Sequence, residues 1–182
     1  MRRLIHILFW LVLCSWFAMV ITPGVAAVSA FPELSEQGAT IPAYASYFED
    51  DPDGMSRLVA GHVADPIFLA TNSAQWILAP LAVLLAVLML HPLKIGSGPG
   101  QYLCIFALTS ALGLVLLHNT SMGPRMSENL DAYRSAASRD LRQGAESARA
   151  AFEADHRIAE PLFGIRMLLL AVHLQLPSFD FQ

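Results

Sequence analysis

The stretch IFLATNSAQWILAPLAVLLAVLML, residues 67–90, contains no charged side chain over its whole length. A transmembrane α-helix needs about 20 predominantly apolar residues to cross a hydrocarbon core about 30 Å thick. The stretch satisfies this requirement, and it is much longer than an ordinary buried strand. It therefore predicts a membrane-spanning helix, which we place at about residues 66–91.

Three more apolar runs occur on either side of this one. Residues 4–28 and 102–117 hold no charge, and residues 162–176 hold only Arg166. The chain as a whole is 55% hydrophobic and only 14% charged, with a mean hydropathy of +0.49, which is unlike an ordinary soluble domain. We therefore predict an all-α polytopic membrane protein with four transmembrane helices; the other three spans are placed at about residues 4–28, 101–120 and 161–176.

The first run has an alternative interpretation as a signal peptide. It has a basic start and a small-x-small ending at residues 28–30, and both features are typical of such peptides. However, about 18 apolar residues precede Pro23, whereas the apolar region of a signal peptide has about 7–15. The run also contains Trp10 and Trp16. These features favour a retained membrane helix.

The distribution of charge predicts the orientation. The segment 31–65 holds seven acidic residues and one basic residue, Arg57, whereas two arginines precede the first helix. The positive-inside rule then places both termini in the cytoplasm and this acidic loop outside. Against this, the segment 121–160 falls on the same side and carries six arginines. Ten arginines against one lysine suggest a GC-rich bacterial genome, and hence a bacterial inner membrane.

The extramembrane segment 121–160 is rich in the helix formers Ala, Arg, Glu and Leu. Ser127 is a plausible helix N-terminus. A single straight helix would carry the chain about 50 Å from the membrane, and the fourth span could not then begin. We therefore predict a helical hairpin with its turn within residues 138–144. Near the second span, Met55–Ala64 is predicted to form a short helix, and Pro161 to mark the start or a kink of the fourth span.

Polar residues concentrate at the predicted outer ends of the spans. Such groups are costly at membrane depth and tend to face the interior of a bundle. We predict one polar layer at this interface, made of His62, Asp65, Asn72, His118, Asn119, Arg125, His156 and Arg166.

This layer has two interpretations. Imidazole and carboxylate are ligands of Zn, Fe and Cu, so His62, His118 and His156 with Asp65 or Asp155 are candidates for a metal or haem site. However, the three histidines come from separate segments, and no HxxxH or HExxH motif occurs. A hydrogen-bonded network is favoured, because most buried polar groups are simply hydrogen-bonded. We expect no cofactor, with a metal or haem as the alternative; a second, weaker set of candidate ligands is His6, His91 and His173.

Arg166 is the one charge inside a predicted span, about five residues or ~7 Å past Pro161. At that depth its side chain is expected to reach water at the interface or to pair with Asp65. The functional alternative is contact with an anion or a lipid headgroup.

The sequence contains no P-loop, GxGxxG, GxSxG or zincin motif, and no basic patch with interleaved aromatic residues that would indicate nucleic-acid binding. We predict no enzymatic activity and no nucleic-acid partner. The favoured role is a structural or accessory component of a membrane complex, with membrane lipids and other membrane subunits as partners. The alternatives are a metal- or haem-binding redox subunit and a protein that handles lipids or small molecules.

Four segments together resemble a known family. They are HILFWLVLCSWFAMVITPGVAAVSAFPEL (6–34), RLVAGHVADPIF (57–68), LLHNTSMGPRM (116–126) and AAFEADHRIAEPLFGIRMLLL (150–170). Their order resembles the transmembrane-protein-205-like family, which overlaps a widespread bacterial membrane domain. The most specific elements are Gly-Pro-Arg after the third span and Phe152-xxx-His156 before the fourth. The resemblance implies a four-helix integral membrane protein and no established chemistry.

Overall fold

The computed structural model describes residues 2–90 and 99–175, and within these ranges the chain is helical with no strand. Three helical stretches are long and apolar enough to cross a membrane: Arg2–Glu36, Pro52–Leu90 and Gly100–Ala137. A 3₁₀ turn forms at Pro42–Tyr44 and a π-turn at His118–Met122. The α-helices are α1 (Arg2–Glu36), α2 (Pro52–Leu90), α3 (Pro99–Leu117), α4 (Gly123–Ala137) and α5 (Arg142–Gln175).

Helices α1 and α2 extend well beyond the predicted spans. Helix α1 has 35 residues, and α2 has 39, so that the connection between them is only residues 37–51. The predicted short helix Met55–Ala64 is thus simply part of α2. The start of α2 has a clear cause: the Oδ1 atom of Asp51 accepts a hydrogen bond from the backbone N–H of Gly54 at 2.8 Å. Asp51 is therefore an N-cap, followed by Pro52 at the first helical position, where proline is favoured.

The third apolar run does not end its helix at Thr120. The π-turn His118–Met122 leads directly into α4 at Gly123, so the predicted helix start at Ser127 is wrong by four residues. A proline lacks the N–H of a regular helical turn, and its ring conflicts with the carbonyl four residues earlier. Because a π-turn bonds residues i and i+5, it allows Pro124 to follow without ending the helix.

The break between α4 and α5 comprises residues 138–141, inside the stretch where the sequence predicts a turn. Here Asp140 has a positive φ of 53°, and the N–H of Leu141 donates to the carbonyl of Ala136 at 2.9 Å. Helix α5 then continues through Pro161 to Gln175. Pro161 therefore lies inside a helix, so the prediction that the fourth helix begins there is wrong, whereas the alternative of a kink at Pro161 stays a prediction.

The chain divides into two compact units. We call the first the apolar unit; it comprises Met1–Ile21, Thr71–Leu117 and Pro161–Gln182. We call the second the charged unit, because it comprises Thr22–Ala70 and His118–Glu160 and holds fourteen of the fifteen acidic residues. The remaining acidic residue, Asp180, lies outside the described residues.

Four helices, α1, α2, α3 and α5, contribute side chains to the core of the apolar unit. Large apolar side chains alternate there with small ones, and small residues allow membrane helices to approach closely. The fully buried side chains include Phe9, Leu13, Trp16, Ala79, Ala82, Met89, Leu108, Ala111 and Leu170.

The charged unit has a separate core. It brings together residues from the α1–α2 connection, the first turns of α2, α4 and the start of α5. Aromatic side chains, Met55 and Leu58 supply most of its bulk, and alanines on α4 and α5 fill the rest. Its buried members are Tyr44, Phe48, Met55, Leu58, Tyr133, Ala137 and Ala145.

Candidate polar sites in the two units

Asp65 on α2 forms an ion pair with Arg134 on α4, with 2.5 Å between Oδ2 and Nη1. The Arg134 side chain is only 14% exposed, and its Nε and Nη2 atoms are buried without a hydrogen-bond partner. Nη2 would lie 3.7 Å from a Cβ atom at Gly61, so the guanidinium passes directly over the backbone of α2. Asp65 is therefore the partner of Arg134, and the predicted pairing of Asp65 with Arg166 is wrong.

Arg125 of the Gly-Pro-Arg sequence pairs with Asp155 on α5, with 2.6 Å between Nη2 and Oδ1. The two residues are thirty positions apart and lie on either side of the turn between α4 and α5. At the other end of α4, a Cβ atom at Gly144 would lie 3.6 Å from the Cβ of Ala136. These contacts join the two helices at both ends of α4.

His62 and His156 make local contacts with different residues. The Nδ1 atom of His62 lies 3.0 Å from the carbonyl oxygen of Leu58, and its ring lies 5.9 Å from that of Tyr44. The ring of His156 stacks on Phe152, with centroids 5.5 Å apart and planes 16° apart. Its Nε2 lies 3.7 Å from Oε1 of Glu160. Both histidines thus act as polar side chains within their own surroundings.

Across residues 2–90 and 99–175, no group of three or more His, Cys, Asp or Glu side chains is close enough to hold a metal ion. The structure therefore does not bring His62, His118 and His156 together as a ligand set. Asp65 and Asp155, the candidate carboxylate ligands, are engaged by arginines. For the second set of candidates, His91 and the side chain of His173 lie outside the described part of the chain.

The predicted polar layer is divided between the two units. Asn72 and Arg166 belong to the apolar unit, and the other six residues belong to the charged unit. Asn72 is half-buried, and Asn119 has its Nδ2 buried without a hydrogen-bond partner. Within the charged unit the members of the layer have different partners: Asp65 pairs with Arg134, and Arg125 pairs with Asp155.

Three side chains that are buried in the apolar unit have polar atoms without a hydrogen-bond partner. Gln75 is 0% exposed, and neither its Oε1 nor its Nε2 has a hydrogen-bond partner; the same is true of Nε1 of Trp16. Arg166 is 3% exposed, its Nε has no hydrogen-bond partner, and its guanidinium carbon lies 4.9 Å from the ring centroid of Phe163. The expectation that Arg166 reaches water is therefore wrong.

A partly open cavity of about 250 Å³ lies between α2 and α3 in the apolar unit. Its exposed wall is apolar, and the amide atoms of Gln75, which borders it, are buried. The cavity is smaller than typical pockets for small ligands, which start at about 300 Å³, so it has room only for a short segment of an alkyl chain. The residues around it are Gln75, Trp76, Pro80, Leu112, Val115 and Leu116.

Tyr47 lies in the connection between α1 and α2, within the charged unit, and burial and nearby charges shift the pKa of its phenol. Its ring contacts that of Tyr133 edge-on, with centroids 6.2 Å apart. Burial raises the pKa of the Tyr47 phenol, and the negative charge of Glu146 raises it further, while nearby arginines lower it by less. A phenol is neutral at physiological pH even at its ordinary pKa of about 10, and the raised pKa leaves Tyr47 neutral to still higher pH.

Sequence reasoning missed the importance of Arg134, Trp16 and Gln75. Arg134 is one of six arginines in its segment, and nothing local distinguishes it, because its partner is 69 positions away (134 − 65). Gln75 carries a detectable signal, since it is an amide within an apolar run. Trp16 carries none, because tryptophan is common in membrane helices.

The chain matches no family model, no curated protein and no solved structure. The resemblance to the transmembrane-protein-205-like family rests on the quoted motifs and stays a prediction. The functional interpretation therefore depends on the residues and their geometry.

Proposed function

We propose that this chain is a four-span integral membrane protein and a non-enzymatic structural or accessory component of a membrane complex. The observation that carries the proposal is that ion pairs in the charged unit join one helix to another. The paired side chains, Asp65–Arg134 and Arg125–Asp155, hold different helices together. One pair joins α2 to α4 and the other joins α4 to α5, as expected for contacts that stabilise a fold.

The fourth span in this proposal is the part of α5 after Pro161. It adds to the three stretches that are long and apolar enough to cross a membrane. Its support is that Leu170 and Phe163 pack into the same core as α1, α2 and α3. We place the chain in a bacterial inner membrane with both termini on the cytoplasmic side. The charged unit then lies on the opposite side, with α4 and the first half of α5 as a helical hairpin. Membership of the transmembrane-protein-205-like family is part of the same proposal.

The folded charged unit supports a role in assembly. It has its own aromatic core and carries seven more acidic than basic residues, fourteen against seven. A folded, charged surface favours specific encounters with partners of complementary charge. Such a unit is suited to holding a neighbouring subunit at the membrane surface.

A second candidate function, the handling of lipids or small apolar molecules, is favoured by the cavity beside Gln75. Its wall exposes only apolar surface, which suits an alkyl chain. Lipids retained through purification and identified by mass spectrometry would distinguish this function. One lipid species held at about one copy per chain, and lost when Leu112→Trp fills the cavity, would support it.

Co-purification tests the main proposal. The tagged chain is extracted from native membranes in a mild detergent, and retained proteins are quantified by mass spectrometry. The proposal expects one or a few membrane proteins at near-stoichiometric amounts. The test variant is Arg125→Glu, which places a glutamate beside Asp155. The repulsion between the two carboxylates should lower the stability of the charged unit and reduce the amount of partner protein retained.

The redox alternative is tested on the same material. A visible absorption spectrum and metal analysis of the purified chain report bound haem or metal directly. Haem or a transition metal at about one per chain would overturn the main proposal in favour of a redox subunit.

A further inference from the structure

Arg166 is a buried cation without a counter-charge among the described residues of its own unit. The residue is 3% exposed, and no described residue forms a hydrogen bond or ion pair with it. The described part of the apolar unit contains no carboxylate, because every acidic residue except Asp180 belongs to the charged unit. Its recorded partner is the face of the Phe163 ring, at 4.9 Å.

A cation–π contact leaves the N–H donors of a guanidinium without hydrogen-bond acceptors. The group carries five N–H donors in a rigid planar fork, and the aromatic face accepts none of them as a conventional hydrogen bond. A buried charge is normally retained only when it is paired and hydrogen-bonded. The energetics of Arg166 therefore call for an anion that accepts hydrogen bonds.

The position of the guanidinium indicates the source of such an anion. Side chains of a helix lean toward its N-terminus, and the contact with Phe163, three residues earlier, shows that Arg166 does so. Its head group is thus displaced toward Pro161, where we propose that α5 enters the membrane. If α5 enters the membrane at Pro161, the phosphates of lipid headgroups lie beyond that end of the span, and ionisable residues at membrane depth commonly mark binding sites.

We propose that Arg166 binds a phosphate group. The forked guanidinium matches two phosphate oxygens at once, and the Phe163 ring holds the fork in place from one face. The same chemistry serves a lipid phosphate or a soluble inorganic phosphate. This site goes beyond the accessory role proposed above, and its loss leaves that role intact.

The test compares two probes on the full-length chain in dodecyl maltoside. One probe is phosphatidylglycerol added to the micelles, with phosphatidylcholine as the zwitterionic reference; the other is sodium phosphate, with sodium chloride at equal ionic strength as its reference. Binding is measured by native mass spectrometry for the lipid and by the thermal midpoint for the ion. The variants are Arg166→Gln and Arg166→Lys, and the matched control is Arg157→Gln, an exposed arginine on the same helix.

Wild type and Arg157→Gln are expected to bind alike, and Arg166→Gln about tenfold or more weakly, as expected for the loss of charged hydrogen bonds. A response to phosphatidylglycerol alone assigns a lipid phosphate, and a response to sodium phosphate as well assigns a site open to the soluble ion. Equal responses of wild type and Arg166→Gln, or no response of wild type to either probe, overturn the proposal.

Arg166→Lys keeps the test decisive if Arg166→Gln does not fold. Lysine retains the charge and loses the planar fork, so intermediate binding is expected. Binding equal to that of wild type would contradict the proposed forked contact. Retention of partner proteins in the co-purification experiment is expected to be unchanged in all these variants, which separates this proposal from the accessory role.

Discussion

At the scale of single residues, the contribution of an ion pair to stability depends on how far its two side chains are buried from water. Arg134 and Asp65 join α4 to α2, and the arginine is mostly buried. Arg149 and Glu153 form an i,i+4 pair on α5 with both side chains about half exposed. Exposed pairs of this kind contribute little, whereas a buried guanidinium that loses its partner retains its desolvation penalty.

We therefore expect Asp65→Ala to cost about 1–3 kcal/mol of stability and the control Glu153→Ala about 0.5 kcal/mol or less. Thermal unfolding in one detergent, followed by intrinsic fluorescence, measures both. Equal losses in the two variants would show that the Asp65–Arg134 pair is as weak as a surface pair.

At the scale of elements, two local devices explain where helices start and continue. Asp51 caps α2 through the N–H of Gly54. The widened turn His118–Met122 carries α3 into α4. Each feature depends on one particular residue. Replacing that residue should therefore change stability differently from the same replacement at a comparable position elsewhere in the chain.

The capping prediction compares adjacent aspartates. Asp51→Ala removes the acceptor at the N-terminus of α2 and is expected to cost about 1 kcal/mol. Asp50→Ala removes the same charge one residue earlier, where no side-chain hydrogen bond is recorded, and is expected to be close to neutral. Thermal midpoints of the two variants decide the matter; a similar shift for both would attribute the effect to charge and not to the cap.

The prediction for the π-turn compares two glycines. A Cβ atom at Gly123 would lie 3.2 Å from the carbonyl oxygen of His118, whereas at Gly113 in α3 it would meet nothing within 4 Å. Alanine normally stabilises a helix over glycine by about 0.5–1 kcal/mol. Gly113→Ala should show this gain, and Gly123→Ala should lose it to crowding against the backbone. A gain at Gly123 equal to that at Gly113 would mean that the π-turn adjusts at no cost.

The helices inside the apolar runs could be predicted from the sequence because length and lack of charge are local properties. The turn at residues 138–141 could be predicted as well, since a long helix cannot return to the membrane. The extension of α1 through Pro32, and of α3 into α4, could not, because proline and short polar stretches usually end helices. The partners of the residues in the candidate polar layer could not be predicted, because the contacts join residues far apart in sequence, as Asp65 with Arg134 shows.

At the scale of the whole molecule, the chain separates apolar from charged material into two compact units, although α1, α2 and α5 each contribute to both. The apolar unit has a core from four helices, and the charged unit has a core of aromatic, aliphatic and alanine side chains. In the proposed function the apolar unit holds the membrane spans and the charged unit lies outside the membrane. This arrangement makes the side of the membrane on which each segment lies the central question.

Cysteine labelling in whole cells answers it most directly. Cys14→Ser and Cys104→Ala supply a background without thiols, and Asp50→Cys and Arg139→Cys, both exposed, place one thiol in each segment of the charged unit. Arg3→Cys serves as the cytoplasmic reference. We predict that an impermeant maleimide labels Asp50→Cys and Arg139→Cys in intact cells, and Arg3→Cys only after the membrane is opened. Labelling of one of the first two without the other would contradict the account, because the two segments would then lie on opposite sides of the membrane.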